Sequence, residues 1–113
     1  MYTYYNKVEK QEHLLYASEI AYSYGLKTIN DKPATSLVSS LLDNYIKEKK
    51  LEDKQLYYKT HKGFMTKVYP MSIYSEVMFN LAKTLIKTYQ NFDEEGKVFK
   101  INVNNKNYSF KIG

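Results

Sequence analysis

Between Val98 and Ile112, apolar and polar residues alternate twice about the pair Asn104-Asn105. Successive side chains leave a strand on opposite faces, so this period predicts two half-buried strands joined by a tight turn. Phe99, Ile101 and Val103 share one face of the first strand, and Tyr108, Phe110 and Ile112 share one face of the second. A two-residue Asn104-Asn105 turn sets Ile101 opposite Tyr108 and Phe99 opposite Phe110. A four-residue loop would shift the pairing by two residues and leave the same side chains inward. Whatever else the chain forms must cover that apolar face.

Three segments have the helical period needed to do so. Leu14, Ala17, Ile20, Ala21 and Tyr24 recur at helical spacing up to Gly25, a residue suited to the left-handed position after a helix. Asn6 with Glu9 three residues later has the form of a capping box, so the first helix is predicted over 9–24. Pro33 suits a first helical turn, and Leu37, Val38, Leu41, Leu42, Tyr45 and Ile46 make the cleanest stripe in the chain. That helix ends in Lys47-Glu48-Lys49-Lys50, whose charge complements the C-terminal dipole. Ser72 is placed to cap a third helix with the apolar line Ile73, Val77, Leu81, Leu85 and Tyr89, widened by Met78, Ala82 and Ile86. Glu76, Asn80, Lys83 and Lys87 fall opposite, and Asp93-Glu94-Glu95-Gly96 ends the helix.

Two further segments read as strands. Residues 55–63 and 64–69 form a hairpin about His61-Lys62-Gly63, closed by Pro70, and residues 1–8 are rich in β-favouring Tyr2, Thr3, Tyr4, Tyr5 and Val8. The expected fold is α+β: three helices with two antiparallel β-hairpins, middle and C-terminal, in a single compact domain spanning residues 1–113.

The chemistry on offer is narrow. With no cysteine, the chain has no disulfide, thiolate metal site or thiol nucleophile, which suits a reducing cytoplasm. His13 and His61 are the only histidines, and no metal-ligand spacing surrounds them. Ser36, Ser39 and Ser40 lack a nucleophile motif, and four scattered glycines build no phosphate cradle. The acidic run 93–95 reads as a solvated turn. No apolar stretch reaches the roughly 18 residues of a membrane span, and the first residues lack a signal-peptide core. We therefore expect a cytoplasmic, non-enzymatic protein with no cofactor, no metal and no membrane partner.

Composition points to binding. The net charge of +5 comes from seventeen lysines without a single arginine. Lysine is a hydrated point charge, whereas arginine is the planar fork that reads guanine edges, so the balance suits non-specific contact with a polyanion. Lysine, tyrosine, asparagine and isoleucine are also the products of A/T-rich codons. Codon usage is thus a competing source of the bias, and it fits a low-GC bacterium or a phage or mobile element within one. Lys59, Lys62 and Lys67 fall on the middle hairpin among Tyr57, Tyr58, Phe64 and Tyr69, the mixture that tracks a phosphate backbone and stacks exposed bases. Lys83 and Lys87 on the third helix would extend that patch.

Thirteen tyrosines exceed what one small core hides, and exposed tyrosine favours protein interfaces. An edge strand bearing Tyr2, Tyr4 and Tyr5 would pair with a partner. The alternative expectation is therefore a protein-directed inhibitor or accessory subunit of a larger nucleic-acid enzyme, such as an anti-CRISPR-type nuclease inhibitor or a replication accessory protein. In outline, a strand over Met1–Val8, a helix ending at Tyr24-Gly25-Leu26 and a second helix over Thr35–Lys47 resemble a ribbon-helix-helix repressor, across less than half the chain. That resemblance implies a dimer. A winged-helix reading with the middle hairpin as wing fits the element order equally, and neither family is assigned.

Overall fold

The computed structural model describes residues 14–51, 56–59, 65–88 and 98–113, with the backbone alone at 56–59, 65 and 86–88. The order is β1 (Leu14–Leu15), α1 (Ala17–Ser23), β2 (Leu26–Lys27), α2 (Thr35–Glu48), β3 (Leu56–Lys59), β4 (Met65–Pro70), α3 (Met71–Thr88), β5 (Phe99–Val103) and β6 (Lys106–Ile112). Each hairpin carries one added strand, giving two antiparallel three-stranded sheets ordered β1-β4-β3 and β2-β6-β5. The class is α+β, as expected, with three helices among the described residues.

The C-terminal hairpin has the two-residue turn. Phe99 pairs with Phe110 and Ile101 with Tyr108, and Asn104 and Asn105 take φ of 53° and 65°. Asparagine is among the few residues that tolerate two successive left-handed positions, as this turn type requires. The Asn102 side chain adds support, accepting from the Asn105 N–H at 3.2 Å and donating to the Asn107 side-chain oxygen at 2.9 Å. Phe99, Val103 and Phe110 are buried, while Ile112, at the open end beside Leu26, is 38% exposed.

One core joins the elements. Ile20 and Ala21 of α1, Leu37, Val38, Leu42 and Ile46 of α2, and Val77, Leu81 and Leu85 of α3 pack with the inward face of the C-terminal hairpin. Tyr69 of β4 and Tyr74 of α3 complete the contact with the first sheet. Burial pushes the Tyr74 phenol up from its ordinary pKa, and Tyr24, whose ring meets it edge-on at 6.3 Å, adds to that shift.

The first helix differs from the expected 9–24. Leu14 and Leu15 are strand, paired with Pro70 and Tyr69, and α1 starts only at Ala17. Glu19 fixes that start by accepting the Tyr16 N–H at 2.8 Å, which satisfies one of the amides a helix leaves open at its beginning. Asn6 and Glu9 lie outside the described residues. Pro33 precedes its helix instead of opening it, bridging to Lys27 while Ala34 donates to the Leu26 carbonyl at 2.9 Å. The third helix begins at Met71, straight from β4, which puts Ser72 inside its first turn.

Helix α2 ends without a glycine. The Lys50 N–H donates to the Lys47 carbonyl at 3.2 Å and the Leu51 N–H to the Ile46 carbonyl at 2.8 Å, a Schellman closure with Lys50 held at φ 56°. Left-handed backbone costs an L side chain roughly 1–2 kcal/mol that glycine avoids. Lys50→Gly is therefore expected to stabilise the fold by about 0.5–1 kcal/mol, after the extra chain entropy of unfolded glycine is subtracted. A rise in the urea midpoint at unchanged slope checks this.

Candidate functional site

Helical period places Leu41, Tyr45 and Glu48 in one stripe on α2, and Val77, Leu81 and Thr84 in one stripe on α3. The two stripes border a groove of about 170 Å³, bounded on its third side by Ile101 of β5. Leu41, Val77, Leu81 and Ile101 give it apolar walls, and Asn44, Asn80, Thr84 and Glu48 bring polar groups to it. Ser40 on α2 and Tyr108 on β6 share a hydrogen bond of 2.6 Å, which fixes the hairpin against α2 beside the groove.

Three lysine–ring pairs stand on α2, α3 and β6, and of their rings only that of Tyr45 lines the groove. Lys49 Nζ lies 5.9 Å from the Tyr45 ring centroid, Lys83 Nζ 4.8 Å from that of Phe79, and Lys106 Nζ 5.3 Å from that of Tyr108. The first two follow from i, i+4 spacing on a helix, the third from i, i+2 spacing on one strand face. An exposed cation–π contact contributes only about 0.5–1 kcal/mol, so these pairs add little to folding. Their consequence is arrangement: an ammonium and an aromatic ring are presented together at three points, and Phe79 remains 59% exposed.

The lysines singled out from the sequence divide. Lys83 lies beside the groove on α3, and Lys87 follows it one turn later on the same helix. Lys67 goes elsewhere. Its ammonium lies 3.1 Å from Asp43 Oδ1 on α2, and the Tyr69 hydroxyl donates to the same oxygen at 2.9 Å. Asp43 stands roughly 160° round α2 from Tyr45, at about 100° per residue, so β4 seats on the flank of α2 away from the groove. Lys67 is thus tied to α2, while Lys83 stands on α3. On β3, Tyr57 pairs with Lys67, Tyr58 with Thr66 and Lys59 with Met65. Lys62, Tyr2, Tyr4 and Tyr5 lie outside the described residues, as do His13, His61 and residues 93–95.

Lys49 and Lys106, the other lysines paired with rings, were not candidates from sequence. The i, i+4 pairs Tyr45/Lys49 and Phe79/Lys83 were the available signal.

A second cleft, of about 480 Å³, is lined by Tyr22, Gly25, Lys27, Asp31 and Pro33 among others. Tyr22 is 80% exposed there, and Ile29 and Ile112 are exposed nearby in the chain. Lys111 Nζ meets Asp31 Oδ1 at 2.9 Å. The hydrogen bond and charge of Lys111 hold the Asp31 carboxyl below its ordinary pKa. A carboxyl with a lowered folded pKa contributes stability above its unfolded pKa and loses it as pH falls through the folded value. Lys111→Met is expected to move the Asp31 titration, followed by carboxyl NMR, up toward the ordinary value, and to weaken this acid limb of the stability profile.

Among the described residues no group of three or more His, Cys, Asp or Glu is placed to hold a metal ion, and no helix is long and apolar enough to cross a membrane. No family model matches the chain, and no curated protein or solved structure matches it significantly.

Proposed function

We propose that this is a small, non-enzymatic binding protein that engages nucleic acid, or a nucleoprotein complex, with little sequence specificity. The observation that carries the reading is the set of three lysine–ring pairs, Tyr45/Lys49 on α2, Phe79/Lys83 on α3 and Tyr108/Lys106 on β6. Ammonium groups neutralise phosphates while neighbouring rings stack bases, and neither contact depends on base identity. The net charge of +5 adds long-range attraction to a polyanion. Lysine in place of arginine leaves phosphate contact intact and removes the bidentate reading of guanine.

The test is fluorescence anisotropy of labelled single- and double-stranded oligonucleotides. Three phosphate contacts on a single strand give a slope of about −2 in log K against log salt, hence a roughly 20-fold loss of affinity between about 50 and 200 mM. No binding at the lower salt would remove the reading.

The second reading, a protein-directed inhibitor or accessory subunit of a nucleic-acid enzyme from a phage or mobile element, has its own observation. Tyr22 lines the cleft of about 480 Å³ and is exposed, and Ile29 and Ile112 are exposed at positions near its lining residues in the chain. An interface anchored there loses little affinity with salt, because its energy comes from buried aromatic and apolar area. Salt dependence therefore separates the two readings.

A further inference from the structure

We infer that the groove between α2, α3 and β5 takes one unstacked nucleobase of a single-stranded nucleic acid, an inference that rests on the nucleic-acid reading above. Size is the first reason. An apolar cavity of about 150 Å³ holds a benzene ring, so a groove of about 170 Å³ has room for one planar ring.

The chemistry of its lining is the second reason. The walls are apolar, as the faces of a base require. Among the described residues, the side-chain amides of Asn44 and Asn80 have no hydrogen-bond partner, and an amide offers both donors and an acceptor. Base edges carry that same mixture, and asparagine is a regular partner of adenine. Glu48 supplies an acceptor for an exocyclic amino group and repels phosphate, so the groove itself is not an anion site.

Charge around the groove is the third. Lys49 stands one turn on from Tyr45 at the end of α2, and Lys83 one turn on from Asn80 on α3, which sets cations at the edges of a neutral-to-acidic slot. Phosphates held by those lysines would bring the intervening base to the slot. In a duplex the base is paired and stacked, and extracting it costs a few kcal/mol; in a single strand that cost is smallest. The groove thus selects single strands over duplexes.

The experiment compares a single-stranded oligonucleotide with an abasic strand of equal length, by anisotropy on the full chain. The two have the same phosphates and differ only in bases. The base-bearing strand is expected to bind at least about 5-fold more tightly, the lower end of what one stacked base contributes. The double variant Asn80→Leu/Thr84→Leu, both positions being exposed on α3 and leucine a good helix former, is expected to bring that ratio close to one. Its salt slope should stay that of the parent, because every lysine remains. Circular dichroism establishes that the variant is folded, and Asn44→Leu provides an independent change on α2. If strands bind with the expected salt slope but the base-to-abasic ratio is unchanged in both variants, the groove holds no base while the nucleic-acid reading stands. If neither strand binds at about 50 mM salt, both fall.

Discussion

Phe110→Ala is expected to lower the stability of this protein by about 3–5 kcal/mol. Phe110 is fully buried and its ring stacks on that of Phe99 at 5.6 Å, with an interplanar angle of 26°. Truncation removes the apolar area that joins β6 to the helices, and a close-packed interior refills only part of the space left behind. A domain of this size has a total stability of roughly 5–15 kcal/mol, so the loss is about a fifth of it or more. The melting temperature should fall by roughly 12–25 °C. Ile112→Ala, on the same alternating face but 38% exposed, is the comparison and should cost less than about 1 kcal/mol. Equal effects at the two positions would contradict the packing described.

The second large effect is expected at Gly25, where two independent costs coincide. Its φ is +70°, a conformation that costs an L residue roughly 1–2 kcal/mol. A Cβ there would also stand 2.7 Å from the Gly113 carbonyl oxygen, a backbone atom that cannot turn aside as a flexible side chain would. The Gly113 N–H donates to the Gly25 carbonyl at 2.9 Å, so relieving the clash loosens the end of the β2–β6 ladder. Gly25→Ala should therefore cost about 2–3 kcal/mol, the conformational cost plus part of one hydrogen bond. Gly113→Ala sets the contrast: its Cβ would meet nothing closer than the Lys27 ammonium at 3.6 Å, and the change should fall within about 0.5 kcal/mol of neutral. Urea unfolding of both variants reads the difference.

How far the fold could be read from sequence follows from the physics of each element. The β5–β6 register was legible because two signals coincided: a period of two along both strands, and a pair of asparagines able to hold positive φ at 104 and 105. The stripe on α2 was legible because its buried side chains recur every three or four residues over four turns. The strands β1 and β2 were not. Each has two residues, too few to display a period, and each exists because a hairpin edge pairs with it. Leu14 fits the helical spacing of Ala17 and Ile20 equally well, so pairing with β4 decided its state where pattern did not.

The candidate site was legible only in kind. Lysine interleaved with aromatics is visible in the sequence, and Lys83 does lie beside the groove. Which lysines remain available depends on contacts between elements distant in the chain. Lys67 meets a carboxylate 24 residues away, and no local pattern announces that pairing. The Asn44 and Asn80 amides converge only through the packing of α2 on α3, so each looks like an ordinary surface residue in the sequence.

The most direct test of the central claim is the salt slope of single-strand binding, measured for the parent protein and for the triple variant Lys49→Gln/Lys83→Gln/Lys106→Gln. Each phosphate contact contributes about 0.7 to the slope on a single strand. The slope is expected to be shallower by about 2 in the variant, with weaker binding at about 50 mM salt. Parallel slopes with equal affinities would contradict it, because these lysines would then touch no phosphate.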